Sequence, residues 1–254
     1  MEQVLNLSCE LGRQLMQNGG EICRVEESVE RVLMAYGCSD PEVFAIPSCV
    51  IVNIRTEERN YTKAVRVRPA SLNLSRLRML NSLCRAICAA PPAVEEAEKD
   101  LRDILKSPLY PAWADYLSHG VVASFFTLFW GGCLTDAVAA FFCGLLVKKT
   151  VGFMRSVQAN GFFRNLIAAM LATIIPVALQ TLGGFVHADK ATIGTIMLLV
   201  PGLAITNMMR DVLAGDYLAA VSRMAEVLLV ALGITIGVAI TLTAVPWLLA
   251  AAGV

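Results

Sequence analysis

Histidine is nearly missing from this 254-residue chain: His119 and His187 are the only two. With so few imidazoles, and with eight cysteines that form no C-x-x-C pair, no zinc-finger or thioredoxin-like signature can be assembled. Neither a metal nor a cofactor is therefore expected. Cys84 and Cys88 are one helical turn apart, as residues on one packed face would be. These two and Cys9, Cys23, Cys38, Cys49, Cys133 and Cys143 read as small, buried apolar side chains in a reducing compartment.

A surplus of either charge is missing too. The formal net charge is zero, which leaves no basic excess to neutralise phosphates and argues against a nucleic-acid partner. There is no P-loop and no G-x-S-x-G elbow, so an enzyme is not expected; a hydrolase built on the first hundred or so residues would have to use Glu21 or Glu26 as its base. A cleavable signal peptide is not visible either. Met1–Gly20 is amphipathic and carries Glu2, Glu10 and Arg13, which leaves targeting to the first membrane helix.

The remaining shortage is local. Beyond Trp113 there are six acids and seven bases, out of 21 of each in the chain, and the stretches 165–186 and 227–250 carry no charge at all. Apolar runs of roughly 20 residues cross about 30 Å of hydrocarbon as helix. Mean hydropathy is +0.62 and 56% of residues are hydrophobic, above the roughly 45–50% of soluble domains. The expected fold class is an α+β cytoplasmic domain (1–110, with a charged connecting helix) followed by an all-α polytopic membrane bundle (111–254) of five transmembrane helices. The spans fall at about 112–131, 134–152, 164–186, 190–210 and 224–250.

In the first part, Val4, Leu7, Leu11 and Leu15 recur at helical spacing. Asn18-Gly19-Gly20 breaks that run, and Ile22, Val25, Val29, Val32 and Tyr36 repeat it as far as Gly37, which predicts a helical hairpin. From Pro41 the text becomes β-rich: Glu42–Ile46, Cys49–Arg55 and, after a polar turn at Thr56–Asn60, Tyr61–Arg68. Ser71-Leu72-Asn73 offers the start of a helix that carries Leu74, Leu77, Leu80, Leu83 and Ile87. A charged helix from Val94 to Lys106 then leads to Pro108 and Pro111 at the membrane entrance. About 90 residues suffice for one modest core. Glu21, Arg24 and Glu26 cluster where the second helix begins, either as acids favouring a helix N-terminus or as a ligand or regulatory contact.

In the second part, basic residues follow the second span (Lys148, Lys149, Arg155, Arg164) and the fourth (Arg210, Arg223). The segment after the first span has none, and that after the third has only Lys190. By the positive-inside rule the N-terminus is cytoplasmic and Val254 outside, with Trp130 and Trp247 near the far interface. Asp136 opens the second span, as an N-cap at the surface or as a functional acid. Pro176 and Pro201 fall near mid-span, and Pro201-Gly202 is expected to break its helix where freed amides can meet an anion. Asn207 and Asp211 share a face beyond that break, flanked by Thr206, Arg210 and Asp216. Asp211 is either salt-bridged to Arg210 or Arg223, or part of a gate or coupling site. Gly233 and Gly237 form a G-x-x-x-G contact surface.

Taken together, these residues resemble a known family. "LVPGLAITNMMRDVLAGDYLAAVSRMAE" (Leu199–Glu226), with its P-G, N and R-D-x-x-x-G spacing, closely resembles the fourth-to-fifth span junction of the threonine/serine exporter family. "LGRQLMQNGGEICRVEESVERVLMAYG" (Leu11–Gly37) is similar to that family's opening helices, with Gly20 where an alanine is usual. "NLSRLRMLNSLCR" (Asn73–Arg85) and the acid in "GGCLTDAVAAFFCGLL" (Gly131–Leu146) also fit, so the similarity covers essentially the whole chain.

The resemblance implies an exporter of small carboxylate-bearing metabolites, either threonine and serine or, in a split branch, a C4-dicarboxylate such as succinate. It implies multi-pass residence in a bacterial inner (plasma) membrane. Asp136, Pro201, Gly202, Asn207, Arg210, Asp211 and Gly215 match family motifs, and all but Gly215 are the expected substrate path. Ten spans are usual in single-chain members, so five imply a second, smaller membrane subunit completing an inverted repeat. A homo-oligomer is left open. Against this stand a membrane-anchored metabolite sensor or scaffold, a membrane-tethered hydrolase using the cytoplasmic domain, and a channel.

Overall fold

A computed structural model describes residues 1–56, 59–68, 72–107, 110–182 and 186–251. Ser71, Pro108 and Val254, on which expectations above partly rest, lie outside those residues. The chain divides into two compact units: Met1–Leu109 with Leu203–Met224, and Tyr110–Gly202 with Ala225–Val254.

The first unit opens with α1 (Glu2–Gln17) and α2 (Ile22–Ala35), the hairpin that the helical spacing predicts. Gly19 makes the reversal at φ +100°, a conformation that costs glycine least. Three strands follow, β1 (Pro41–Ile46), β2 (Cys49–Arg55) and β3 (Asn60–Arg66), in an antiparallel sheet of order β1-β2-β3. Val52 faces Val43 on one side and Val50 faces Val65 on the other. In the central strand Val50, Val52 and Ile54 are fully buried at period two, so one sheet face is committed to the core. That face meets Leu7, Leu11, Val25, Val29 and Val32 of the hairpin in one cluster.

α3 (Leu74–Ala89) starts where Asn73 Oδ1 accepts the Arg76 N–H at 3.0 Å, a side-chain N-cap. It adds Leu80, Leu83 and Ile87 to the core, and α4 (Val94–Lys106) adds Ala97 and Leu101.

The expected five transmembrane helices are corrected to fewer. Among the described residues three helices are long and apolar enough to cross a membrane: Leu134–Ser156, Gly161–Thr181 and Tyr217–Val245. The first expected span is α5 (Ala112–Phe129), whose first turns hold Asp115, Ser118 and His119 and lower its hydropathy. The fourth divides into α8 (Ala188–Ile196) and α9 (Gly202–Ala214), because Pro201 has no N–H to continue a helix. At about 1.5 Å per residue, the nine residues of α8 reach less than half of a 30 Å hydrocarbon layer. A separate cytoplasmic α+β domain is also corrected, since Leu203–Met224 belongs to the same compact unit as the sheet. The sheet is a small element in a mostly helical chain.

The membrane helices α6 (Leu134–Ser156), α7 (Gly161–Thr181) and α10 (Tyr217–Ala251) meet through small residues. A Cβ added at Gly237 would lie 2.4 Å from the Leu166 carbonyl oxygen, and one at Gly233 would lie 2.8 Å from that of Phe162. Both α10 glycines thus let its backbone press against α7, the contact role read for G-x-x-x-G. Ala168, Ala169 and Ala172 of α7 are buried together with Val147, Val230 and Ile234. Leu228, Leu229 and Leu232 of α10 stay exposed, as side chains facing lipid do. Pro176 does not break its helix: α7 runs through it to Thr181.

Candidate functional site

In the first unit the candidates from distant parts of the sequence converge. Asn207 and Asp211, four residues apart on α9, are the buried residues of that helix. Asn207 Nδ2 donates to the Gly19 carbonyl at 3.4 Å. Asp211 Oδ2 accepts from Arg223 Nε at 2.8 Å, and Arg223 Nη2 reaches the Gly20 carbonyl at 3.5 Å. Arg210, one position before Asp211, pairs with Glu21, whose other oxygen lies 3.3 Å from Arg24 Nε. The α1–α2 turn and α9 are therefore joined by carbonyls, acids and guanidinium groups in one polar cluster.

Local sequence explains the geometry. Gly215, at φ +87°, takes the left-handed conformation that ends α9, and the Asp216 N–H returns to the Asp211 carbonyl at 2.9 Å. α10 starts two residues later, and its second turn brings Arg223 back beside Asp211. The R-D-x-x-x-G spacing thus encodes a helix end and a reversal. Burial pushes the Asp211 carboxyl above its ordinary value, and the Arg223 guanidinium opposes that rise.

Glu21 occupies the N-cap position of α2 and makes no side-chain cap hydrogen bond there. Its charge is used by Arg210 and Arg24 instead. Glu26 lies apart from the ion pairs: its Oε1 accepts the Ala45 N–H at 2.7 Å and ties α2 to β1. Burial raises the Glu26 carboxyl above its ordinary value, while the Ala45 N–H lowers it. A shallow recess beside the turn is lined by Leu15, Gly19, Gly20, Glu21, Arg24, Val25, Leu77 and Asn81.

Asp136 belongs to the second unit. It is fully buried, and its oxygens accept from Cys133 N (2.8 Å), Cys133 Sγ (3.1 Å), His187 N (2.7 Å) and His187 Nδ1 (3.1 Å). With Cys133 it forms a capping box at the start of α6, and it also holds the residue before α8. Cys133 holds the N-cap position itself, and Asp136, three residues on, closes the box from the first turn.

Sequence reasoning did not single out Cys133, His187 or the Gly19 and Gly20 carbonyls. The cysteines as a group are also less uniform than expected: Cys9, Cys38, Cys84 and Cys143 are buried, whereas Cys23, Cys88 and Cys133 are exposed. The exposed ones sit on polar helix faces or at a helix start, where no core is available to cover them.

A family profile described as "Putative threonine/serine exporter" matches residues 6–245. The chain belongs to the threonine/serine exporter family. Among curated proteins it is 27% identical over 248 residues to the "Probable threonine/serine exporter" of Mycobacterium tuberculosis, covering 96% of this chain and 46% of that protein. It is 25% identical over 244 residues to the "Threonine/serine exporter" of Corynebacterium glutamicum, covering 92% and 50%. It is also 26% identical to "Pheromone-regulated membrane protein 10" of Candida albicans over 90% of this chain and 21% of that protein. The chain thus spans about half the length, or less, of the curated relatives it matches. No solved structure matches it. Three helices among the described residues that are long and apolar enough to cross a membrane accord with membership in this family.

Proposed function

We propose that the chain is one part of an exporter that moves small carboxylate-bearing metabolites across a bacterial inner membrane, with threonine and serine as the first substrates to test and C4-dicarboxylates such as succinate as the second. The observation that carries this reading is the cluster of Asn207, Arg210, Asp211, Arg223 and Glu21 in the first unit. A zwitterionic solute carries one carboxylate and one ammonium, and this cluster holds fixed charges of both signs. An incoming carboxylate can exchange for an acid on Arg210, and an ammonium can replace a guanidinium on Glu21 or Asp211. The amides that open α9 after Pro201 and Gly202 offer a further place for a substrate carboxylate.

Asp136 is not part of this proposed path, because all of its contacts are used to hold two helix starts. The side of the membrane is likewise our reading. The basic residues Lys148, Lys149 and Arg155 toward the end of α6 favour placing that end of the helix on the cytoplasmic side.

A second membrane subunit working beside this chain is part of this proposal. The inverted repeat expected from five crossings is not carried over, because three helices among the described residues are long and apolar enough to cross. Proteoliposomes loaded with labelled threonine, serine or succinate test the proposal. Efflux is expected when this chain and its second subunit are reconstituted together and not with either alone. Absence of efflux for all three solutes from the complete assembly overturns it.

A further inference from the structure

Three side chains able to ligate a metal converge in the second unit: Cys133, Asp136 and His187, whose ligand atoms lie within 4.8 Å of one another. The separations are 3.1 Å for Cys133 Sγ to Asp136 Oδ2, 3.1 Å for His187 Nδ1 to the same oxygen, and 3.9 Å for Sγ to Nδ1. In a tetrahedral zinc site with bonds of about 2.3 Å to sulfur and 2.0–2.2 Å to nitrogen and oxygen, the edges are roughly 3.4–3.6 Å. The triangle already present needs shifts of only a few tenths of an ångström to match those edges.

Capping alone does not account for these residue types. Ser, Thr, Asp and Asn are the side chains that cap helix starts well. Here a cysteine takes the N-cap of α6 and a histidine that of α8, and His187 makes no cap hydrogen bond with its side chain. Both positions hold metal ligands instead, and both aim at one buried carboxylate oxygen. The backbone N–H groups of Cys133 and His187 also donate to that carboxylate, at 2.8 and 2.7 Å, and fix its orientation as outer-shell donors do in metal sites. Cys133 and His187 are both exposed, so an ion can reach the site from solvent.

We propose that Cys133 Sγ, Asp136 Oδ2 and His187 Nδ1 form a binding site for one zinc-class divalent ion, with a fourth position left to water. The set of one sulfur, one nitrogen and one oxygen suits Zn2+ or Co2+ and does not suit Mg2+ or Ca2+, which take oxygen ligands. On binding, the Cys133 thiol proton leaves to solvent and the neutral imidazole carries its proton on Nε2. The metal then replaces the two hydrogen bonds that Sγ and Nδ1 now make to Oδ2. A helix N-terminus at α6 favours the thiolate that this requires. The inference is independent of the exporter reading.

Titration of the purified full chain in detergent with Co2+, followed by displacement with Zn2+, tests the site. One Co2+ per chain is expected, with a thiolate-to-metal charge-transfer band that Zn2+ abolishes and Mg2+ does not. Cys133→Ser and His187→Gln should each weaken binding at least about tenfold. Cys133→Ser retains an N-cap side chain, so its thermal unfolding without metal should stay near that of the original chain, which separates ligation from capping. Cys143→Ser, at a buried cysteine remote from the cluster, should leave the Co2+ band intact. The proposal is overturned if the original chain binds no more Co2+ than the Cys133→Ser/His187→Gln double variant, or if the band persists in that variant.

Discussion

Arg223 Nε donates to Asp211 Oδ2 at 2.8 Å, and the two side chains are 13% and 3% exposed. Twelve residues and the Gly215 turn separate them, so the pair closes the junction between α9 and α10 on itself. The same guanidinium reaches the Gly20 carbonyl, which joins that junction to the α1–α2 turn. A buried pair contributes little against an apolar replacement of both partners, but leaving one charge behind is strongly destabilising.

Arg223→Met should therefore lower the stability of the chain by about 3–5 kcal/mol, while the double variant Arg223→Met/Asp211→Asn recovers most of that loss. Thermal unfolding of detergent-solubilised protein reads both. If the two single changes add without coupling, the pair does not hold the junction.

Glu26 gives a pH dependence of defined sign. Burial raises its folded value above the ordinary glutamate value of 4.5, so its protonated form is favoured by folding. Its contribution to stability is fully present below about 4.5 and declines as pH rises through the raised folded value. Glu26→Gln keeps an acceptor for the Ala45 N–H and should flatten this decline. Unfolding midpoints of the two proteins on either side of that window should converge at the acid end and separate toward neutral pH, the variant being the more stable.

Two glycines in membrane helices should respond in opposite ways to alanine. At Gly237 the added Cβ meets the Leu166 carbonyl oxygen at 2.4 Å, and backbone must shift. A loss of about 1–3 kcal/mol is expected from such overpacking. Nothing lies within 4 Å of a Cβ at Gly152, so alanine there should be neutral or stabilise α6 by up to about 1 kcal/mol. Equal melting temperatures for the two variants would show that α10 does not press on α7 as described.

The sheet and the opening hairpin were legible because they repeat a period. Val50, Val52 and Ile54 alternate along β2, and Val25, Val29 and Val32 recur along α2, so burial on one face dictates both. The five-span reading erred where apolar content is high but continuity is lost. Hydropathy averages across Pro201, yet the backbone cannot continue its hydrogen bonds there, and α8 ends at Ile196. Within the site, the α9 face of Asn207 and Asp211 was legible from a spacing of four. The partnership of Arg210 with Glu21 was not, because 189 residues separate them and spacing carries no information at that range. Asp136 and His187, 51 residues apart, escaped for the same reason.

Export through the Asp211 cluster is most directly tested by efflux from cells preloaded with labelled threonine, serine or succinate. The cells compared would lack this chain, contain it, or contain Asp211→Asn at matched membrane levels, with the second subunit present throughout. The account predicts efflux of at least one of these solutes that depends on the chain, and a rate at least about tenfold lower for Asp211→Asn, as loss of about 1.4 kcal/mol of transition-state stabilisation would give. Efflux unchanged by removing the chain, or equal for Asp211→Asn and the original, would contradict it.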